Sequence, residues 1–72
     1  MEINSNLLKA LLKEHGHTAH DYASVIKSSV STAYNRINGL SEHSRTELMA
    51  VKEYYGLSNE RFISIFFASK VN

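Results

Sequence analysis

Three glycines divide this proline-free chain of 72 residues, and each of them follows an apolar pattern with helical spacing. Glycine commonly ends a helix, because it adopts the left-handed backbone of a C-terminal cap without steric cost. Residues whose side chains cap helix starts stand before these patterns. The glycines are Gly16, Gly39 and Gly56, and the caps are Ser5, Thr18, Ser44 and Ser58. The sequence therefore predicts an all-α fold, a compact bundle of about five helices.

Residues 18–39 hold two short helices joined by a polar turn, in which Ser28 or Ser29 is suited to cap the second helix. Thr18 and Asp21 match a capping box at the start of the first helix. Apolar residues recur at i, i+3, i+4 and i+7 in the first helix and at similar spacing in the second. They are Ala19, Tyr22, Ala23 and Ile26, and then Val30, Ala33, Tyr34 and Ile37. This pattern is typical of a helix-turn-helix motif, whose second helix presents a polar face outward.

That polar face is the candidate binding site, together with the turn before it and the loop after it. We expect Ser28, Ser31, Thr32 and Asn35 to point outward, with Arg36 at the edge. Uncharged groups of this kind can serve a base edge, a phosphate or another protein's backbone. A solvated face without a partner is the alternative. The candidate residues are Lys27, Ser28, Ser29, Ser31, Thr32, Asn35, Arg36, Asn38 and Leu40.

The flanking segments complete the predicted bundle. A first helix carries the stripe Leu7, Leu8, Leu11 and Leu12, and a fourth begins at the capping box Ser44–Glu47;. Residues 61–67 are rich in β-formers, so a strand is the alternative to a last helix there. Most aromatic side chains are expected in the core, with Tyr54 exposed and an interface role for residues 62–67 as the alternative. The expected core aromatics are Tyr22, Tyr34, Tyr55, Phe62, Phe66 and Phe67.

Composition limits the function further. The length suits one domain, spanning residues 1–72 with its motif at 18–39. The net charge of +1, from 8 basic and 7 acidic residues, is weak for a dedicated nucleic-acid binder;. The chain has no cysteine, which excludes disulfides and thiolate metal sites and fits a reducing cytoplasm. We expect no membrane span and no signal peptide.

The histidines and serines do not predict catalysis or metal binding. His15, His17 and His20 are close in sequence, but only His20 lies within a predicted helix, and no acidic residue follows it at i+4;. Ser24, His20 and Asp21 are neighbours on one helix and cannot line a pocket. We therefore expect no enzyme activity, no cofactor, no metal and no small-molecule ligand.

Four segments and their spacing carry a resemblance to a known family. They are Ser31-Thr32-Ala33-Tyr34 leading to Ile37-Asn38-Gly39, Ser41-Glu42, the helix running to Tyr55-Gly56-Leu57-Ser58, and Ile65-Phe66-Phe67-Ala68. The chain resembles, over nearly all its length, the small Cro- and repressor-type helix-turn-helix regulators of temperate phages. It is most similar to the modulator-of-repression antirepressors of lactococcal-type phages, which share the fold but bind the phage's lysogenic repressor. The resemblance implies a lambda-repressor or Cro-like DNA-binding-domain fold.

Two departures separate this chain from relatives that read operators. Those relatives usually place a phosphate-clamping Gln after the cap of the first motif helix, where this chain has Ala19;. Their turn usually carries a Gly, where this chain has Lys27-Ser28. The turn therefore forms without a left-handed residue, or Lys27 adopts that strained conformation.

The resemblance and these departures favour an antirepressor of the lysis–lysogeny switch, acting in the host bacterial cytoplasm. Its expected partner is the DNA-binding domain of the lysogenic repressor, whose operator binding it blocks. Its own operator binding is expected to be weak. Phosphate contacts from Lys27, Arg36 and Arg45 predict a slope of log K against log salt of about −3. The alternative is a Cro-like, sequence-specific DNA-binding repressor.

Overall fold

Five helices make up the chain in the computed structural model, which describes residues 3–67. They are α1 (Ser5–Glu14), α2 (Ala19–Ile26), α3 (Val30–Ile37), α4 (Arg45–Tyr54) and α5 (Asn59–Phe66). Within residues 3–67 there is no strand. The prediction of an all-α bundle of about five helices is therefore confirmed, and the β-forming residues from Phe62 to Phe66 lie in a helix.

Side-chain caps start the helices close to the predicted positions. Ser44 and Ser58 accept hydrogen bonds from the backbone N–H groups three residues on, at 3.2 and 3.1 Å. At α2 the backbone N–H of Thr18 donates to the carboxylate of Asp21 at 2.8 Å, the capping-box contact;. The predicted cap at Ser5 is wrong by one residue, because Asn4 caps α1 by accepting from the N–H of Leu7.

The core forms around α2, which packs against α3 and α4, while α1 packs against α5 and α3. Tyr22 and Phe66 are fully buried, and Ile37 keeps only 5% of its surface. The placement of Ile37 in the core is confirmed. Phe66 belongs to the core, whereas Phe62 and Phe67 are partly buried against it.

Two residues expected to be buried are exposed. Leu7 lies on the outer edge of α1 and keeps 41% of its surface. Tyr34 keeps 58%, because α3 turns Ala33 and Ile37 to the core and leaves Tyr34 at the rim beside α1. Tyr54 is exposed, as predicted.

The turn between α2 and α3 contains a strained residue. Lys27 has φ 56° and ψ 50°, the only positive φ of a non-glycine residue within 3–67. Of the two alternatives for this turn, Lys27 therefore adopts the left-handed conformation. Ser29, rather than Ser28, then caps α3.

Gly39 is needed for space as well as conformation. Its φ is 74°, and a Cβ there would lie 3.1 Å from Cγ2 of Ile3. The end of α3 consequently lies close to the segment before α1, and the loop to α4 departs from that point.

None of the helices within residues 3–67 combines the length and the apolar character needed to cross a bilayer.

Candidate partner-binding face

The outward face of α3 carries four uncharged side chains. Ser31, Asn35 and Asn38 are exposed, and Tyr34 lies among them. At about 100° per residue, the centre of this face lies about 60° from the centre expected from the sequence. The exposed surface therefore includes an aromatic ring that the sequence pattern assigned to the core.

The hydroxyl groups at the start of α3 bond to the chain itself. Ser29 Oγ accepts from the N–H of Thr32 at 3.1 Å and lies 3.0 Å from Thr32 Oγ1. Ser28 Oγ donates to the carbonyl of Ser29 at 3.1 Å. Ser28 and Thr32 are half-buried. These three predicted site residues serve the turn, so the outward face begins at Ser31.

Arg36 is held by an ion pair on the far side of α3. Its Nε donates to Glu47 Oε1 at 2.8 Å, and its Nη1 donates to Ser41 Oγ at 2.6 Å. The side chains of Arg36 and Glu47 keep 20% and 14% of their surface. The sequence made Arg36 an anchor beside the binding face, whereas the structure uses its guanidinium to join α3 to α4.

The surroundings of Glu47 favour its ionised carboxylate. Burial works to raise its pKa, but the hydrogen bonds from Arg36 and from the backbone N–H of Ser44 outweigh burial and lower that pKa;. Glu47 is therefore ionised at neutral pH, and its carboxylate offsets the guanidinium charge of Arg36.

Leu40 projects from the loop after α3 and keeps 76% of its surface. The backbone N–H groups of Leu40 and Ser41 both donate to the carbonyl of Asn35, at 2.9 and 3.4 Å. Asn38 Nδ2 donates to the carbonyl of Tyr34 at 2.9 Å. Backbone hydrogen bonds therefore hold the exposed Leu40 near the C-terminal end of the α3 face.

A shallow groove separates α3 from α1. Tyr34 and Asn38 line one side of it, and Lys9 and His17 line the other. Lys9 was not predicted as a site residue. The only feature of the sequence that could have indicated it is its position on the polar side of the first helix. Lys27 borders a different concavity, with Asp21 and Tyr54, so the structure does not bring Lys27 together with Tyr34 and Asn38.

The N-terminus of α2 is occupied by a carboxylate of the chain itself. Asp21 Oδ2 accepts from the N–H of Thr18 at 2.8 Å and from its hydroxyl at 3.3 Å. The backbone hydrogen bond from Thr18 is the main cause that lowers the pKa of Asp21. A negative charge therefore stands at the N-terminus of α2, two residues after Ala19.

Three of the four histidines, His15, His17 and His43, make contacts with aromatic rings. His17 Nδ1 lies 2.9 Å from the hydroxyl of Tyr55, and the His15 ring packs on Tyr55 edge-on at 4.8 Å. Burial raises the pKa of Tyr55 to about 12, so that hydroxyl keeps its proton. In the part of the chain that the structure describes, no three His, Asp or Glu side chains are grouped to hold a metal ion.

Comparison of the chain with protein-family models, with curated proteins and with solved structures gave no match.

Proposed function

We propose that this chain is a helix-turn-helix antirepressor of a temperate phage. Residues 18–39 form the motif, and the outward face of α3 binds the DNA-binding domain of the phage's lysogenic repressor. The observation that carries the proposal is the composition of that face: Ser31, Tyr34, Asn35, Asn38 and the neighbouring Leu40 are exposed and uncharged. This composition suits a protein partner better than a phosphate backbone.

The cost of removing water from this face is low. Ser31, Asn35 and Asn38 carry no full charge, and a partner's backbone and side chains can replace their hydrogen bonds to water. Tyr34 adds apolar surface within the face, and Leu40 adds it near the C-terminal end. Exposed aromatic side chains such as Tyr34 are the kind of residue that concentrates binding energy in protein interfaces.

Two of the groups that would hold DNA are engaged within the chain. Phosphates bind at helix N-termini and at free cations, but Asp21 places its carboxylate at the N-terminus of α2. Arg36, the one cation of α3, is paired with Glu47. The net charge of +1 adds little long-range attraction;. These features disfavour the Cro-like alternative.

Repression is relieved in this proposal by competition for one surface of the repressor. A repressor's DNA-binding surface is shaped for a duplex, and a small domain covering it excludes the operator. Binding of this chain then reduces the fraction of repressor free to bind DNA by mass action. The place of action is the cytoplasm of the infected bacterium.

Calorimetric titration of the intact repressor of the same phage tests the proposal. We expect Tyr34→Ala and Leu40→Ala each to weaken binding about tenfold or more, which is about 1.4 kcal/mol. Asn35→Ala should weaken it less, because water can re-pair the groups it leaves. Met49→Ala is the matched control, since Met49 is comparably exposed but lies on α4.

Unchanged affinity in the Tyr34, Asn35 and Leu40 variants, with helix content intact, would remove the α3 face from the mechanism. No binding by the wild-type chain would contradict the antirepressor proposal itself.

A further inference from the structure

His43 is a buried polar residue in the loop between α3 and α4. It keeps 6% of its surface, and its Nε2 lies 2.7 Å from the hydroxyl of Tyr22, which is fully buried in α2. Its ring also packs edge-on against Phe66 of α5, with 5.1 Å between ring centres. No sequence pattern indicates this role, because His43 stands in a short polar loop between helices.

The hydrogen bond of His43 fixes one end of the segment 40–43. At the other end, the backbone N–H groups of Leu40 and Ser41 donate hydrogen bonds to the carbonyl of Asn35. The hydroxyl of Ser41 also accepts a hydrogen bond from Arg36. The segment therefore bridges the exposed α3 face and the core, and His43 is its contact with the core.

Two opposite charges act on the His43 ring. Glu47 of α4 favours the protonated ring and Arg36 of α3 opposes it, and these two are paired with each other. Glu42 is the adjacent acidic residue and lines the same concavity. Tyr22 of α2 is neutral, since burial raises its pKa, and Phe66 of α5 carries no charge. Burial is the largest influence on His43 and favours the neutral ring;.

We propose that His43 is the positioning residue that holds Leu40 and Ser41 at the partner-binding face, and that uptake of a proton by its ring releases the segment 40–43. Partner binding then weakens on acidification while the helices remain folded. The release of the segment 40–43 on protonation is independent of the proposed function, whereas the weakening of partner binding rests on it.

The sign and size of the effect follow from the two states of the ring. Burial lowers the pKa of His43 to about 4 in the closed segment, and a released, solvated ring has a pKa of about 6.5. The closed segment is therefore fully stable above about pH 6.5 and loses stability as the pH falls towards 4. Over that window each opening takes up one proton, so the opening constant rises about tenfold per pH unit.

Amide hydrogen exchange followed by NMR measures this opening without any partner. We expect the protection factors of the Leu40 and Ser41 amides to fall about tenfold per pH unit below about pH 6.5. The amides of Leu12 and Val51, in the cores of α1 and α4, should stay better protected than those of Leu40 and Ser41 at every pH, because only a larger opening exposes them. Equal protection at all four amides would mean that the segment 40–43 opens only on global unfolding and would overturn the proposal.

Two variants separate proton uptake from packing. His43→Gln can still hydrogen-bond to Tyr22 but does not titrate, so its Leu40 and Ser41 protection should be independent of pH. His20→Gln is the matched control, because His20 is exposed on α2, and it should behave like the wild type. The same pH dependence in His43→Gln as in wild type would overturn the proposal.

A second variant keeps the test valid should His43→Gln fail to fold. Tyr22→Phe retains the imidazole but removes its hydrogen-bond partner, so Leu40 and Ser41 should lose protection already at pH 7.5. Full protection in Tyr22→Phe at that pH would contradict the positioning role.

Titration of the intact repressor at pH 7.5 and pH 5.5 tests the binding statement. The wild type should lose more affinity than His43→Gln between these two values, by up to about tenfold, the limit reached when the open segment predominates. Equal losses would overturn the link between His43 and binding. Absence of binding at pH 7.5 would instead count against the antirepressor function and would leave the exchange result intact.

Discussion

Replacement of Lys27 by glycine should stabilise the domain. Lys27 ends α2 in the left-handed region, where a residue with a Cβ atom costs about 1–2 kcal/mol. Glycine removes that cost, but it adds about 0.4–1 kcal/mol of conformational entropy to the unfolded chain. The central values leave a gain of about 0.8 kcal/mol. For a domain of this size, that gain raises Tm by about 3–6 °C.

The assay is chemical and thermal unfolding followed by circular dichroism for the wild type, Lys27→Gly and Lys27→Ala. Lys27→Ala is the matched control, because alanine keeps the Cβ atom and its strain while removing the exposed ammonium group. We expect its stability to stay within about 0.5 kcal/mol of the wild type. If Lys27→Gly were no more stable than Lys27→Ala, left-handed strain at this turn would be refuted.

Three further outcomes are expected from the fold and the charges. Ile37→Ala should lower the free energy of unfolding by about 2–5 kcal/mol, as a truncation in the core, and wild-type stability in urea would refute the position of α3. Ser44→Ala should cost about 1 kcal/mol through the lost cap of α4, and an unchanged urea midpoint would count against that cap. With Arg36 paired to Glu47, only Lys27 and Arg45 remain of the three cations expected at phosphates. The slope of log K for DNA against log salt should then be about −1.8, and fluorescence anisotropy giving about −3 or steeper would show that Arg36 is free.

The helices could be predicted from the sequence because their starts depend on contacts within three residues. Ser44 with Glu47 and Thr18 with Asp21 are complete signals in themselves. The predicted cap of α1 was one residue too late, because Asn4 and Ser5 are both good caps and only the tertiary fold selects between them.

The site was less predictable because its decisive contacts join distant parts of the chain. Arg36 meets Glu47 across 11 residues and His43 meets Tyr22 across 21. No local pattern distinguishes these partners from solvated side chains. Tyr34 fits the apolar stripe of α3 by spacing, and its exposure depends on how far α1 reaches along that helix. The exposed face of α3 is therefore rotated relative to the set of residues that the sequence pattern predicted.

A competition experiment tests the antirepressor proposal most directly. Fluorescently labelled operator DNA is bound to the intact repressor of the same phage, and this chain is added while anisotropy is recorded. We expect the DNA to be released in full, with an apparent Kd of the repressor for DNA that rises linearly with the concentration of free chain. A ternary complex that keeps the DNA bound, or direct nanomolar binding of the chain to the operator at high salt, would contradict the proposal.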